Sequence, residues 1–245
     1  MHAAEISHCP VALAILDGLR PAGGCATIVR SQAPGDFQLP EPWSGHVDRA
    51  PILFLTANPS ISHDGPHPRR DWPDQRIEAF YRDRFDGRTP GQIRDGKYVV
   101  RSDGTPRPTV QRTWAELLSR AGELVDAPRP GLDYALTEVV RCKSKQSLGV
   151  REAFAECVDR WLRPVLARSA ARVVVACGAV PRTAIGRMLA TELAPGAVHF
   201  ATLDGRAVAL LAIGAPGSAE PRRIPALLTP ETLARLRRMV AEARP

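Results

Sequence analysis

The sequence has no apolar run long enough to cross a membrane, and no positively charged leader precedes an apolar segment near its start. It has no internal repeat, which excludes a repeat protein. It also has no Gly-rich phosphate-binding loop, so nothing supports a nucleotide-handling protein. We therefore expect a soluble, cytoplasmic protein.

The length and composition fit a globular protein with a basic surface. The 245 residues, 44% of them hydrophobic, are enough for one α/β domain with a sizeable core. The formal net charge of +7 suggests a polyanionic partner, although many basic proteins bind none.

Short apolar runs alternate with segments of helical periodicity along most of the chain. The predicted strands lie within 51–60 and over 134–140, 172–178, 198–203 and 207–213. The predicted helices cover 11–19, 74–84, 110–122, 150–168, 180–193 and 230–243. Asp204-Gly205 between the last two strands predicts a hairpin. This alternation predicts a single α/β domain, residues 1–245, with three α/β/α layers and a mostly parallel central sheet.

Residues 59–109 form the longest irregular region, which is rich in Pro, Gly, Asp and Arg. A loop of that length inside a compact domain is usually functional or disordered. Disordered segments contain few aromatic residues, whereas this region has several among its arginines. We therefore expect an ordered insertion.

Asn58 follows the first predicted strand directly and precedes a proline. Ligands of open α/β sheets bind at the carboxyl ends of the strands, which is where this carboxamide stands. A carboxamide held rigidly there can orient a water molecule or a substrate group. The alternative is an ordinary Asn-Pro turn.

Four short motifs, taken in their order along the chain, resemble those of the uracil-DNA glycosylase superfamily, and specifically its iron–sulfur branch. They are Thr-Ala-Asn-Pro-Ser at 56–60, Thr-Glu-Val-Val-Arg-Cys at 137–142, Val-Val-Ala-Cys-Gly-Ala at 174–179 and Ala-Pro-Gly-Ser at 215–218. The resemblance covers about residues 50–225. It implies the fold of that superfamily, a flipped nucleotide in the active site, and Asn58 as the residue that orients the hydrolytic water.

Three positions depart from the motifs of the uracil-specific enzymes. Glu138 stands in place of an Asn that recognises uracil, and a carboxylate is the natural acceptor for the N4 amino group of cytosine. A protonated Glu138 could instead donate to cytosine N3. Ser60 replaces a bulky Tyr, which makes room for a large group at pyrimidine C5. Ala215 replaces a His that supports the departing base. The alternative for Glu138 is a structural carboxylate paired with Arg141.

These departures, together with the resemblance, predict a glycosylase like the anti-phage enzymes that remove glucosylated 5-hydroxymethylcytosine. Phage DNA is then the partner, and we expect a monomer. Ser218, Arg222 and Arg223 would contact DNA phosphates and help to stabilise the departing base. Arg69 and Arg70 in the insertion would grip DNA or accommodate the C5 group, unless the insertion is only a solvated lid. The alternative functions are repair of uracil or another deaminated base, and non-catalytic nucleic-acid binding.

The resemblance also implies a four-cysteine iron–sulfur site. Cys142 and Cys157 stand at the positions of the two later ligands, and Cys9 and Cys25 would be the other two. Such a 4Fe–4S cluster would have a structural role, since it would pin the N-terminal segment to the domain. Cys177, within an apolar run, is expected in the core. The alternative is five unlinked buried thiols.

Overall fold

A computed structural model describes residues 1–20, 22–32, 34–61 and 66–245, and within these ranges a five-stranded sheet forms the centre of the molecule. The strands of the whole described chain are β1 (Ile52–Thr56), β2 (Ile93–Arg94), β3 (Tyr98–Val99), β4 (Tyr134–Glu138), β5 (Val173–Cys177), β6 (Val198–Leu203) and β7 (Arg206–Ile213). The central sheet has the order β4-β1-β5-β7-β6, while β2 and β3 form a separate two-stranded hairpin. Within the central sheet, neighbouring strands run parallel except for the antiparallel pair β6 and β7. The predicted mostly parallel sheet and its terminal hairpin are confirmed.

Both faces of the sheet are buried along β1, β4 and β5, as the continuous apolar runs predicted, whereas the edge strand β6 is partly exposed. All five side chains of β1 are buried. Leu53 and Leu55 belong to one hydrophobic cluster, whereas Ile52 and Phe54 belong to a second cluster on the other face. A sheet that is apolar on both faces needs helices on both sides to exclude water.

Helices cover each face. They are α1 (Ala3–Ser7), α2 (Pro10–Leu16), α3 (Ala26–Arg30), α4 (Asp74–Arg82), α5 (Arg112–Gly122), α6 (Val150–Cys157), α7 (Arg163–Arg168), α8 (Ala179–Leu189), α9 (Ile224–Leu227) and α10 (Pro230–Ala243). Buried residues of α1 to α4 and of α6 to α8 join the cluster on one face, and those of α5, α9 and α10 join the other. The architecture is therefore α/β with helices on both sides of a mostly parallel sheet. No helix in the described ranges is both long and apolar enough to span a membrane.

Two predicted helices differ in detail from the structure, one in its interior and one at its end, and each difference has an identifiable reason. The predicted helix over 150–168 contains a π-helical turn, Val158–Leu162, just before Pro164. Proline has no N–H to donate to the preceding turn, and its ring crowds the carbonyl four residues earlier, so the helix widens there. The predicted helix over 180–193 ends at Leu189, because Ala190 adopts a left-handed conformation with φ of 53°.

The insertion is ordered over the residues that the structure describes, as expected; residues 62–65 of it lie outside them. It contains the β2–β3 hairpin and α4, which confirms the helix predicted over 74–84 except that it ends at Arg82. Ile77 and Tyr81 of α4 are fully buried against the main hydrophobic cluster. The insertion is thus packed onto the domain.

Candidate functional site

A cavity of about 530 Å³ opens at the carboxyl ends of β1, β4 and β5. Asn58 follows β1, Glu138 ends β4, and both line this cavity. The parallel strands end at the same edge of the sheet, which explains why the two side chains meet. A second depression, of about 700 Å³, lies along α8 and the turn after it, and none of the described residues selected from the sequence lines it.

The Asn58 carboxamide is held in a fixed orientation by the loop after β4. Its Nδ2 donates to the carbonyl oxygen of Pro59 and to the hydroxyl of Ser144, each at 3.0 Å. Ser147 donates to Asn58 Oδ1 at 3.3 Å. An amide oxygen has two lone pairs, so Oδ1 retains the capacity to accept one more hydrogen bond.

Glu138 is a buried carboxyl without a cationic hydrogen-bond partner among the described residues. It accepts a hydrogen bond from the hydroxyl of Thr56 on β1. Burial raises the pKa of Glu138 to about 8, and the nearby Glu41 contributes in the same direction. At neutral pH this carboxyl is therefore mostly protonated and can both donate and accept a hydrogen bond. The alternative of an ion pair with Arg141 is wrong, since the Arg141 guanidinium donates to Pro42 O at 2.8 Å and to the Thr137 hydroxyl.

Three buried charged side chains in the wall of the cavity were not predicted. Glu41 Oε1 lies 2.6 Å from Lys143 Nζ, and the pKa of Glu41 is lowered because Lys143 and Arg84 outweigh its burial. Burial lowers the pKa of Lys143. Lys143 follows β4 closely, so its place at the strand end was a signal that sequence reasoning could have used. Glu41 and Arg84 come from irregular segments and have no comparable signal.

An aromatic side chain for a flipped base was expected without a residue assigned, and Trp114 of α5 lines the cavity. Its ring packs edge-to-face against Phe85 of the insertion, with centroids 5.3 Å apart and planes at 86°. Gln111 caps α5 by accepting a hydrogen bond from the Trp114 backbone N–H at 3.0 Å. These contacts hold the ring in place against the cavity.

The loop after β7 reaches the cavity through Ala215, whereas Ser218 does not line it. Gly178, at the turn after β5, has φ of 98°, and a Cβ there would lie 2.8 Å from the Cβ of Ala215. Glycine is needed at this turn because the loop packs directly against it. Ser60 is exposed at the cavity wall and forms a parallel β-bridge with Ser144.

The four arginines selected for DNA contacts lie outside the cavity wall, and each forms an ion pair within the chain. The ion pairs are Arg69–Asp71 (4.0 Å), Arg70–Asp17 (2.5 Å), Arg222–Glu116 (2.5 Å) and Arg223–Glu123 (3.7 Å). The Arg69 and Arg70 pairs are exposed and contribute little to stability, whereas Arg222 and Arg223 pair with the half-buried Glu116 and Glu123.

All five cysteines are buried free thiols. Within the described ranges, the structure has no group of three or more His, Cys, Asp or Glu side chains arranged to hold a metal ion. Four of the thiols nevertheless affect one another. Burial raises the pKa of Cys142, and Cys157 and Cys9 add to the rise. A hydrogen bond with Cys157 raises the pKa of Cys25, with burial and Cys142 adding to it. Cys177 is buried in the hydrophobic cluster that also contains Phe54, as expected, and it also borders the cavity.

Two features of the chain beside these thiols concern Cys25 and Cys157. A Cβ on Gly24 would lie 2.4 Å from the carbonyl oxygen of Glu152, so glycine allows the segment before Cys25 to lie directly on α6, which ends at Cys157. Beside Cys157 lies Arg141, which is only 1% exposed, and its Nε and Nη2 have no hydrogen-bond partner in the part of the chain that the structure describes. A guanidinium buried in this way is costly unless a negative group compensates it.

Comparison with known proteins identifies no relative from which roles could be assigned to these residues. No protein-family model matches this chain, and no curated protein is significantly similar to it.

Proposed function

We propose that this protein is a monofunctional DNA glycosylase with a uracil-DNA glycosylase-like fold, which hydrolyses the N-glycosidic bond of a flipped, modified pyrimidine. The observation that carries the proposal is the shared cavity of Asn58, Glu138 and Trp114 at the carboxyl end of the sheet. Those side chains offer what base excision needs: a group to orient water, a group to recognise the base edge, and an aromatic face.

In the proposed reaction, Asn58 Oδ1 accepts a hydrogen bond from a water molecule placed below C1′ of the flipped nucleotide. The water oxygen forms a bond to C1′ while the C1′–N1 bond breaks, and the bonding electron pair leaves with the base. The water releases its proton to solvent. Asn58 contributes by position, because Ser144 and Ser147 hold its carboxamide in one orientation.

Glu138 would recognise the base edge and stabilise the departing base. Its neutral carboxyl can donate to cytosine N3 while accepting from the N4 amino group. A donor held against the base as negative charge develops can contribute on the order of 3 kcal/mol. This role compensates for Ala215, a side chain that cannot donate a hydrogen bond.

The favoured substrate is a 5-substituted cytosine, in particular glucosylated 5-hydroxymethylcytosine in phage DNA. The support comes from the small Ser60 at the cavity wall and from the volume of about 530 Å³. Uracil is the second candidate, because a neutral carboxyl can also accept from uracil N3–H and donate to O4. The raised pKa of Glu138 is compatible with both bases, so the choice between them rests on Ser60 and the cavity volume.

DNA binding is proposed from charge and placement. The net charge of +7 favours a polyanion. Ser218, Arg222 and Arg223 lie on the segment that follows the Ala215 loop, and Arg69 and Arg70 lie in the insertion that forms part of the cavity wall. We propose that these arginines exchange their ion pairs for phosphates when DNA binds.

We further propose that Cys9, Cys25, Cys142 and Cys157 hold a 4Fe–4S cluster. Four neighbouring buried thiols, beside a guanidinium with two unpartnered donors, fit a group of net negative charge. When bound, the cluster supplies a cross-link between the N-terminal segment and α6, and it takes no part in the hydrolysis.

The test of the function uses three DNA substrates: a uracil-containing duplex, unmodified duplex, and phage DNA with glucosylated 5-hydroxymethylcytosine. We expect release of the modified base, identified by mass spectrometry, with alkali-labile sites in the phage DNA only. Alkali-labile sites in the uracil duplex alone would reject the substrate, and absence of any released base together with retained DNA binding would establish the non-catalytic binder instead.

The cluster has an independent test. We expect anaerobically purified protein to be brown, to absorb blue visible light, and to contain about four iron atoms per chain. Cys157→Ser should lose the iron, whereas Cys177→Ser, the matched control, should keep it. Iron-free, colourless protein would contradict the cluster and leave the glycosylase proposal standing.

A further inference from the structure

One part of the cavity wall has more buried charge than base recognition by Glu138 requires. Glu41, Arg84 and Lys143 are 8%, 6% and 1% exposed, and all three line the cavity. They come from three distant segments: the irregular stretch before β1, the insertion after α4, and the loop after β4. We call them the Glu41–Arg84–Lys143 cluster.

Stability does not account for this cluster. Removing charges from water costs several kcal/mol per ion, and a buried ion pair seldom recovers more than that cost. Arg84 is also incompletely satisfied, since its Nε and Nη1 are buried and find no hydrogen-bond partner among the residues that the structure describes. Its guanidinium lies 4.7 Å from the centroid of the Phe80 ring, which compensates only part of the loss. Buried polar groups with unused hydrogen-bonding capacity beside a cavity are typical of a binding site.

The cluster lies beside the carboxyl that is proposed to recognise the base. Both Glu41 and Lys143 act on the pKa of Glu138, the former raising it and the latter lowering it. On a cytosine ring the carbon that bears N4 is bonded to C5. A base whose N4 edge faces Glu138 therefore directs its C5 substituent towards the neighbouring wall.

We propose that the Glu41–Arg84–Lys143 cluster is a subsite that binds hydroxyl groups of the substituent on pyrimidine C5. This inference rests on the proposed glycosylase function and names the group that determines its substrate. Glu41 supplies an acceptor, while Arg84 and Lys143 supply donors, and a hydroxyl group is the ligand that uses both at once. An anionic group would meet the Glu41 carboxylate, which already pairs with Lys143 at 2.6 Å and repels an anion, whereas a hydroxyl group can donate to that carboxylate and accept from Arg84.

The experiment compares duplexes that carry cytosine, 5-hydroxymethylcytosine or glucosylated 5-hydroxymethylcytosine at one position. Base release is measured as kcat/KM for the wild type, Glu41→Gln and Arg84→Met. The matched control is Arg187→Met, an arginine paired with Asp159 at 2.9 Å outside this cavity. Melting curves verify that each variant folds, and Arg84→Lys replaces Arg84→Met if that variant does not fold.

We expect the wild type to prefer the glucosylated duplex. Glu41→Gln and Arg84→Met should each lower the ratio of kcat/KM between the glucosylated and the hydroxymethylated duplex by at least about tenfold, because each loses a charge-assisted hydrogen bond. Arg187→Met should leave that ratio as it is. If the variants lower both rates by the same factor, the cluster does not recognise the sugar hydroxyls and the proposal is wrong.

If the wild-type protein releases no base from any duplex, the proposed glycosylase activity is wrong, but the proposed subsite is still tested by binding. The same ratio is then taken from dissociation constants of the three duplexes, measured by fluorescence anisotropy. Tighter binding of the glucosylated duplex that is lost in Glu41→Gln supports the subsite. Equal affinities of the wild type for all three duplexes overturn it.

Discussion

The two ends of β4 hold buried acidic side chains in opposite protonation states. Asp133, just before the strand, is clamped by Arg129 at 2.8 Å and by Arg244 at 2.9 Å. Burial opposes its ionisation, but the hydrogen bonds from the two arginines outweigh that effect and lower the pKa of Asp133 to about 2. Glu138, the last residue of the strand, has a hydroxyl partner instead, and burial raises its pKa to about 8.

The two buried acidic groups of this strand differ in what surrounds them, and the difference indicates different roles. At the amino end the charge is compensated within the chain, so the carboxylate ties α10 and the turn before β4 to the sheet. At the carboxyl end the carboxyl lines a cavity and keeps hydrogen-bonding capacity for a ligand. Acidic groups whose surroundings move their pKa values apart commonly differ in role.

The largest effect is expected at the cavity. Asn58→Ala removes the group that we propose orients the water, so base release should fall on the order of 10²- to 10³-fold. Asn58→Asp, which keeps an oxygen at the same place, should retain activity, as the resemblance implies. Single-turnover rates on the modified duplex measure both. Wild-type rates in Asn58→Ala would remove Asn58 from the mechanism.

At the amino end, Asp133→Asn should lower the free energy of unfolding by about 3 kcal/mol, because it leaves two arginines without a counter-charge. Since the folded pKa of Asp133 is below its unfolded value, the stabilisation is present above about pH 4 and is lost as the pH falls towards 2. Urea unfolding at pH 7 and pH 3 measures this difference. Asp126→Asn, on the exposed surface, is the control, and base release per folded molecule should not change in either variant.

The protonation state of Glu138 predicts a pH dependence of catalysis. Because only the protonated carboxyl donates to the base, base release should fall about tenfold per pH unit above about pH 8. Glu138→Gln has no proton to lose there, so this decline should vanish and leave a slower, flatter profile. A wild-type rate that stays constant up to pH 10 would contradict a donor role.

The Glu138 carboxyl should also make the free energy of unfolding depend on pH. The folded pKa of Glu138 is raised above the ordinary value of 4.5, so its contribution is fully present below that pH and is lost as the pH rises through about 8. The wild type should therefore lose more stability than Glu138→Gln between pH 5 and pH 9 in urea titrations.

The smallest expected effect concerns the hydrogen bond between Thr56 and Glu138. That bond lowers the pKa of Glu138 against the effect of burial. Thr56→Val keeps the shape of the side chain and removes the donor, so the alkaline decline in base release should move to higher pH, by about one unit or less. A decline that moves to lower pH would show that the hydroxyl does not stabilise the ionised form.

The sequence was informative about the elements and about the carboxyl edge of the sheet. Strand and helix patterns depend on neighbours a few residues apart, so periodicity alone places β1, β4, β5 and the terminal hairpin within a residue or two. Asn58 and Glu138 were also predictable as neighbours, because each follows or ends a parallel strand and parallel strands end at the same edge of the sheet. The errors lie at helix ends such as Leu189, where the conformation of a single residue, Ala190, determines where the helix stops.

What only the tertiary structure decided is which distant segments meet. Glu41, Arg84 and Lys143 are in one wall because loops fold over the strand ends, and no local pattern encodes that meeting. Glu138 is protonated because burial withdraws it from water, and sequence specifies the carboxyl but not its dielectric surroundings. The sequence alone determines which side chains are present and which secondary structure they favour. The charge state of a buried side chain depends on all the groups that pack around it, and only the tertiary structure shows those.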